Sequence, residues 1–318
     1  MSLTVTTWNV QNFARSDSLF DDKLLFLRDM IRGLGSDVVA LQEVLDEEAL
    51  VALAGELGFH PVAGKPDGRG NRVAFLTRGP IAGNAVAAVE DWRLPAGETV
   101  RRFNAQAAIT IAEAMPRPAL RLTIEHEGRQ VELINVHLKS KLLTFPGGRF
   151  STSDESLRAA TAYFALARRA AEAKTLREVA TELLLDGRDV ILLGDFNDGP
   201  QAATTALMYG PPGSQPKGPE DAIRPSGAFQ RSDAGDVQRL FNMTNLVPAG
   251  QRWSRRHDGQ EELLDQILVS AGLMPRAEGL RQVPAVTIQN DEVPNLFGTN
   301  PNQGGIVPDH APVTAVFV

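Results

Sequence analysis

The sequence predicts an α/β protein in which two β-sheets pack face to face with helices on the outside. Three observations predict it. Short strand patterns are numerous, and several follow one another before a helix intervenes, which a plain βαβ alternation does not produce. Two runs, Val38–Leu41 and Val190–Leu193, are wholly apolar, as strands buried on both faces are. No Pro/Gly/Ser-rich linker divides the 318 residues into two cores, so the chain reads as one domain over 1–318.

Taken in order, Leu3–Val10 is β-rich. Asp21–Ile31 carries Leu24, Leu25, Leu27 and Ile31 at helical spacing and is expected to stop at Gly33. Asp37–Gln42 reads as a buried strand, and Glu47–Leu57 as a helix closed by Gly58. Arg72–Thr77, Ala105–Ile111, Leu120–Glu125 and Val131–His137 are strand patterns, with Glu127-Gly128 marking a hairpin between the last two. Asp154–Leu185 is the longest helical stretch, and its length predicts a bend or break. Val190–Leu193 is a strand and Gln201–Met208 a short helix. Gly210–Pro219 is a Pro/Gly-rich surface loop. Leu263–Val269 and Ala311–Phe317 are strands separated by a loop-like Gln289–Val307.

Composition narrows the function classes. Hydrophobic residues make up 43% and charged residues 22%, as in soluble globular proteins. There is no cysteine, which excludes disulfides, thiolate zinc sites and cysteine nucleophiles without settling the compartment. No apolar run approaches the ~18 residues of a membrane span. Met1–Val10 reads as a strand rather than a signal peptide, so cytoplasmic residence is the default, with export open to a chain whose leader has been trimmed. The formal net charge of −7 argues against a protein that grips long duplex nucleic acid, which needs Lys and Arg against phosphates.

Six strand ends carry polar groups. Gly194-Asp195-Phe196-Asn197-Asp198 follows the apolar Val190–Leu193; alternation puts Asp195 and Asn197 on one side and Phe196 in the core. An Asx-rich turn ending a strand accounts for this segment equally well. Asn135 and His137 share one face of Val131–His137, where a lone histidine is more often structural. Glu43 follows Val38–Gln42, Asn9 follows the first strand, and Asp309-His310 precedes the last. Asp265 is a charge inside the apolar run Leu263–Val269; buried, it needs a partner, and a histidine is the natural one.

Each signal alone is weak. The six together, in this order, resemble the endonuclease/exonuclease/phosphatase superfamily of deoxyribonuclease I-like metal-dependent phosphoesterases. The matching segments are TWNVQNF at 7–13, LQEV at 41–44, INVHLKSK at 134–141, GDFND at 194–198, LLDQILVS at 263–270 and PDHAPV at 308–313, spanning nearly the whole chain. The resemblance implies a four-layer α/β sandwich, two packed mixed β-sheets flanked by helices, and a Mg²⁺ or Mn²⁺ ion. It makes Glu43 the main metal ligand, with Asn9 beside it and Asp309 completing the site. Oxygen ligands in small number suit Mg²⁺, which keeps most of its waters. His310 becomes the base that activates water, oriented by Asp265. Asp195 and Asn197 position that water and hold a phosphate oxygen. His137 binds the phosphate or protonates the leaving oxygen. Asn135 and Arg102 are assigned to substrate binding, Arg102 because many members carry an arginine at the matching point.

One position departs from the deoxyribonuclease I-like pattern. A carboxylate orients the first histidine in those members, and Asn71 stands nearest that place here, which puts His137 as general acid in question. His60, His126 and His257 read as plain surface or core residues, and Arg255–Arg256 as part of a solvated loop before Asp265. The implied activity is in-line hydrolysis of a phosphodiester or phosphomonoester by a monomer without a stable protein partner. Its substrate class is a nucleic acid, a phospholipid headgroup or a soluble phosphate. A nuclease or small-substrate phosphodiesterase is the first reading. A sphingomyelinase or inositol-phosphatase-like hydrolase is the alternative, and a non-catalytic binding module on the same fold the remote one. The inserts Leu142–Ser153 and Gly210–Gly227 are expected to shape the pocket rim.

Overall fold

β1 (Leu3–Phe13) runs parallel to β2 (Val38–Val44), and around this pair a mixed six-stranded sheet assembles. The computed structural model describes residues 2–81, 85–104, 106–210, 213–219, 236–274, 286–296 and 305–317. β3 (His60–Ala63) and β4 (Arg72–Thr77) extend the first sheet on one side; β15 (Val286–Ile288) and β17 (Val313–Phe317) extend it on the other, in the order β15-β17-β1-β2-β4-β3. The second sheet contains β5 (Val86–Val89), β8 (Ala119–His126), β9 (Arg129–His137), β10 (Asp189–Asp195), β11 (Leu240–Asn242) and β14 (Asp265–Ser270), in the order β11-β14-β10-β9-β8-β5. β9 and β10 are its parallel pair. Smaller ribbons are β6 (Val100–Phe103) with β7 (Ile109–Ala112), and β12 (Arg255–His257) with β13 (Gln260–Glu262) and β16 (Asn295–Leu296).

Apolar side chains from the facing sides of both sheets form the central core. Val5, Ala40, Val73 and Phe75 of the first meet Leu122, Leu133, Ile191, Leu193 and Ile267 of the second. The opposite face of the first sheet, with Trp8, Val39 and Leu41, is covered by α1 (Phe20–Leu34) and α2 (Glu47–Leu57). The opposite face of the second, with Ile134, Val136 and Leu192, is covered by α3 (Glu155–Leu185) through Leu176, Val179 and Leu183. This is the predicted four-layer α/β sandwich, and it explains why β2 and β10 are apolar on both faces.

Several element expectations need correction. α1 passes through Gly33 and ends at Gly35, whose φ of 65° provides the left-handed cap. α3 is a single unbroken helix: it contains no Gly or Pro, and Asp154 caps its start by accepting from Leu157 N. The helix expected over Gln201–Met208 shrinks to α4 (Ala203–Ala206). Arg255–His257 is a strand and not a solvated loop. The hairpin at Glu127-Gly128 forms as expected, both residues taking positive φ between β8 and β9. Most of the Gly210–Gly227 insert, part of Gln289–Val307, and Ala105 lie outside the described residues.

Candidate active site

Register brings the site together. In the second sheet Asp195 is paired directly with His137 on β9 and with Asp265 on β14, so three functional side chains stand in a row on adjacent strands. Gly194 allows this. Its φ is 143°, and a Cβ there would meet Val136 O at 2.0 Å, so only glycine fits beside β9 immediately before Asp195. Phe196 turns into the core under α3, as alternation predicts. Asn197 is not extended, however. Its φ of 53° ends the strand and folds its amide back, where Nδ2 donates to Asp195 Oδ2 at 3.2 Å and to Leu138 O at 3.1 Å.

The first sheet supplies the facing side. Asn9 Nδ2 donates to Asp195 Oδ2 at 3.0 Å and to Glu43 Oε1 at 3.2 Å, joining the two sheets across the site. Beyond Asn9 the chain bends through Gln11 (φ 48°) and Asn12 (φ 53°). Within this bend Gln11 N donates to Asn9 Oδ1 at 3.0 Å and Asn12 N to Glu43 Oε2 at 3.1 Å. Glu43 itself has φ 62°. Non-glycine residues held in this region cost about 1–3 kcal/mol each and cluster at functional sites. The buried ammonium of Lys23 on α1 donates to Gln11 O at 2.5 Å and closes the bend from behind.

His310 enters just before β17. Its Nδ1 lies 2.6 Å from Asp265 Oδ2, and its backbone oxygen accepts from Trp8 Nε1 at 2.8 Å. Asp265 is fully buried, and Ser254 Oγ donates to the same Oδ2 at 2.7 Å while accepting from Leu264 N and Asp265 N. The partner expected for the Asp265 charge is thus present. Ser254 was not legible beforehand, since a lone serine after a tryptophan carries no signal. Burial opposes a charge on His310, but the carboxylates of Asp265, Asp195 and Asp309 outweigh it and push its pKa up. Burial pushes Asp195 up as well; His310 opposes that rise and Asp265 adds to it.

His137 behaves oppositely. Burial, then Arg117, His310, Lys139 and Arg168, push its pKa well below the usual histidine range. Its Nε2 lies 3.4 Å from Asp195 Oδ2 and 4.0 Å from Glu43 Oε1, and its Nδ1 is buried without a hydrogen-bond partner. Asn71, where a carboxylate was sought, is also buried with its Oδ1 unpartnered. Burial thus favours the uncharged imidazole of His137, whose ring N–H can donate to a phosphate oxygen.

Two of the expected residues lie apart from this cluster. Asn135 does not face the cleft. It is fully buried between the sheets, its Nδ2 donating to Leu41 O and Ala74 O and its Oδ1 accepting from Gln42 Nε2 at 2.7 Å. It shares a face with His137, but only the strand end reaches the cluster, and one pleat repeat earlier that face is the inter-sheet core. Arg102 is exposed on β6, in the two-stranded ribbon against α3, and its side chain makes none of the site's hydrogen bonds. His60 is exposed on β3, His126 ends β8 and His257 ends β12; none joins the cluster.

Asp195, Asp265 and His310 bring ligand atoms within 4.8 Å of one another, close enough to hold a metal ion. His310 and Asp265 are already bonded to each other, Nδ1 to Oδ2, at 2.6 Å. Glu43 fits a cation better: its carboxylate is 22% exposed and accepts from the neutral donors of Asn9 and Asn12, leaving lone pairs free. Asp309 lies beside His310, 3.5 Å from Arg255 Nε.

The sequence profile described as "Endonuclease/Exonuclease/phosphatase family" matches residues 6–287. No curated protein matches significantly. Among solved structures, truncated Caenorhabditis elegans TDP2 is similar at 14% identity and TM-score 0.52, covering 99% of this chain and 97% of that one. A family protein from Bacteroides thetaiotaomicron is similar at 16% identity and TM-score 0.51, covering 99% and 97%. The human Nocturnin catalytic domain with bound sulfate anion is similar at 15% identity and TM-score 0.50, covering 100% and 94%. At such identities the likeness establishes the fold.

Proposed function

The chain belongs to the endonuclease/exonuclease/phosphatase family, and from that premise we propose that it is a divalent-metal-dependent hydrolase of phosphate esters, acting on nucleic acid or a small phosphodiester. The observation that carries this reading is the convergence of His310, Asp265, Asp195, His137, Asn9 and Glu43 from six strand ends into one cluster: hydrogen bonds join Asn9 to Asp195 and Glu43 and His310 to Asp265, and ligand atoms of Asp195, Asp265 and His310 lie within 4.8 Å of one another. In-line displacement at phosphorus needs a placed water, donors for the non-bridging oxygens and a stabilised leaving group. In this reading His310 takes the proton of the attacking water, with Asp265 fixing its tautomer and Ser254 fixing Asp265. Asp195 and Asn197 hold that water in line. His137 donates to a phosphate oxygen. Glu43, Asn9 and Asp309 would hold the cation. When bound, Mg²⁺ or Mn²⁺ supplies Lewis-acid polarisation of the phosphate and a positive field that opposes the charge on His310.

The experiment is turnover of bis-p-nitrophenyl phosphate, single-stranded oligonucleotide and duplex DNA with Mg²⁺, Mn²⁺ or EDTA. Metal-dependent turnover, abolished by EDTA and weakest on long duplex, is expected. Activity that survives EDTA would remove the metal from the reading, and zero turnover on all substrates with either metal would remove the enzyme.

A further inference from the structure

Beside the site, charged side chains alternate in sign. Arg255, the first residue of β12, pairs its backbone with His310 and extends Nε to within 3.5 Å of Asp309 Oδ2. Its Nη1 lies 3.7 Å from Oε2 of Glu262, the residue opposite it on β13. Glu262 Oε1 reaches across to Lys141 Nζ at 2.9 Å, four residues beyond His137 and 121 residues from Glu262 in sequence. Lys141 in turn stands 3.7 Å from Asp198 Oδ1, just past Asn197. Two cations from opposite flanks of the site therefore share one carboxylate. Arg256, one residue on, alternates to the other face and stacks on Trp253 at 4.3 Å, so Arg255 alone of the pair faces the rim.

The three groups are half-exposed, with side-chain exposures of 49% for Lys141, 24% for Arg255 and 33% for Glu262. His310 and His137, at the base of the site, are each 5% exposed. Exposed ion pairs of this kind are weak, so the oxygens of a phosphodiester replace the carboxylate at little cost. Arginine and lysine converging from two sides is an arrangement that takes phosphate oxygens. The arrangement is notable in a chain of net charge −7, where the cleft needs local cations to accept a polyanion.

We propose that Lys141 and Arg255 form a second phosphate subsite at the rim, distinct from the place of the scissile group, with Glu262 standing in for the phosphate until substrate binds. This rests on the phosphoesterase reading of the site beneath it. The substrate class it selects carries a second phosphate next to the one cleaved, as a short oligonucleotide does and bis-p-nitrophenyl phosphate does not.

The test compares a trinucleotide, with two internucleotide phosphates, against bis-p-nitrophenyl phosphate. Trinucleotide binding is followed by calorimetry in EDTA and turnover of both probes in Mn²⁺, with thermal melting as a fold control. Lys141→Ala and Arg255→Ala are each expected to weaken trinucleotide binding and to lower the ratio of kcat/KM on trinucleotide to that on bis-p-nitrophenyl phosphate about ten-fold. Glu262→Gln is expected to move both quantities the other way, which a merely structural clasp would not do. Equal losses on the two probes, wild-type trinucleotide binding in all three variants, or no binding by the wild type would overturn the subsite. Binding that follows the expected order without any turnover would instead remove the phosphoesterase reading and leave the subsite standing.

Discussion

His310, Asp265 and Ser254 are linked through a single carboxylate oxygen, which receives the Ser254 hydroxyl at 2.7 Å and lies 2.6 Å from His310 Nδ1. The pairing leaves Nε2 of His310 as the atom available to a reacting proton. If His310 is the base, His310→Ala should lower kcat by about 10²–10⁴-fold. Asp265→Asn should lower it comparably, because an amide no longer enforces the tautomer. Steady-state kinetics with circular dichroism as a fold control checks both, and a His310→Ala protein that turns over at the wild-type rate refutes the assignment. At the same scale, Glu43 and Gln11 hold left-handed φ values that their side chains do not favour. The backbone is thus shaped by the site, with Asn12 N and Gln11 N aimed at Glu43 and Asn9.

Among the elements, β10 is the hinge of the arrangement. It is parallel to β9 and antiparallel to β14, and both pairings run in register through Asp195. Gly194→Ala would place a Cβ 2.0 Å from Val136 O at a positive φ, which neither backbone can absorb. The expected outcome is separation of β9 from β10 and a loss of stability well above the ~1 kcal/mol typical of point substitutions, read as a large fall in Tm or loss of soluble protein. A Gly194→Ala protein that melts like the wild type would show that the strands do not approach so closely. The small ribbon of β12 and β13 matters for a different reason. Its backbone bridge from Arg255 to His310 and the bond from Ala311 N to Ser254 O tie the last segment of the chain into the site.

At the scale of the whole molecule, two helical layers close two sheets, and the cluster sits where strand ends of both sheets meet. Lys23 is buried between α1 and the first sheet, and burial lowers its pKa to about 8, against opposing help from Asp17, Glu43 and Asp309. Its charged form is disfavoured in the folded state by about 3 kcal/mol, from a shift of 10.5 to about 8. The sign follows from proton counting. Between the folded and unfolded pKa values the unfolded chain binds more protons, so this contribution to stability rises with pH over that window. Urea unfolding at pH 7 and pH 10 should show the wild type gaining on the order of 2 kcal/mol relative to Lys23→Met. A difference that stays flat with pH would mean that the ammonium is solvated. No described helix is long and apolar enough to cross a membrane.

The sequence by itself determined the family and most of the elements, because short strand ends keep their polar residues in recognisable order around apolar runs. Asn9, Glu43, Asp195, Asp265 and His310 could all be named from local context, and the buried charge of Asp265 even called for its histidine. What only the tertiary structure decided was which of these groups touch. Asn9 and Asp195 are 186 residues apart in sequence, and no local pattern specifies their 3.0 Å bond; sheet register and the packing of one sheet on the other do. The same packing turned Asn135 into an inter-sheet staple, left Arg102 on a separate two-stranded ribbon and drew Ser254 and Arg255 to the site. A strand pattern tells which face a side chain takes, but whether that face meets a cleft, a core or solvent depends on what another part of the chain lays against it.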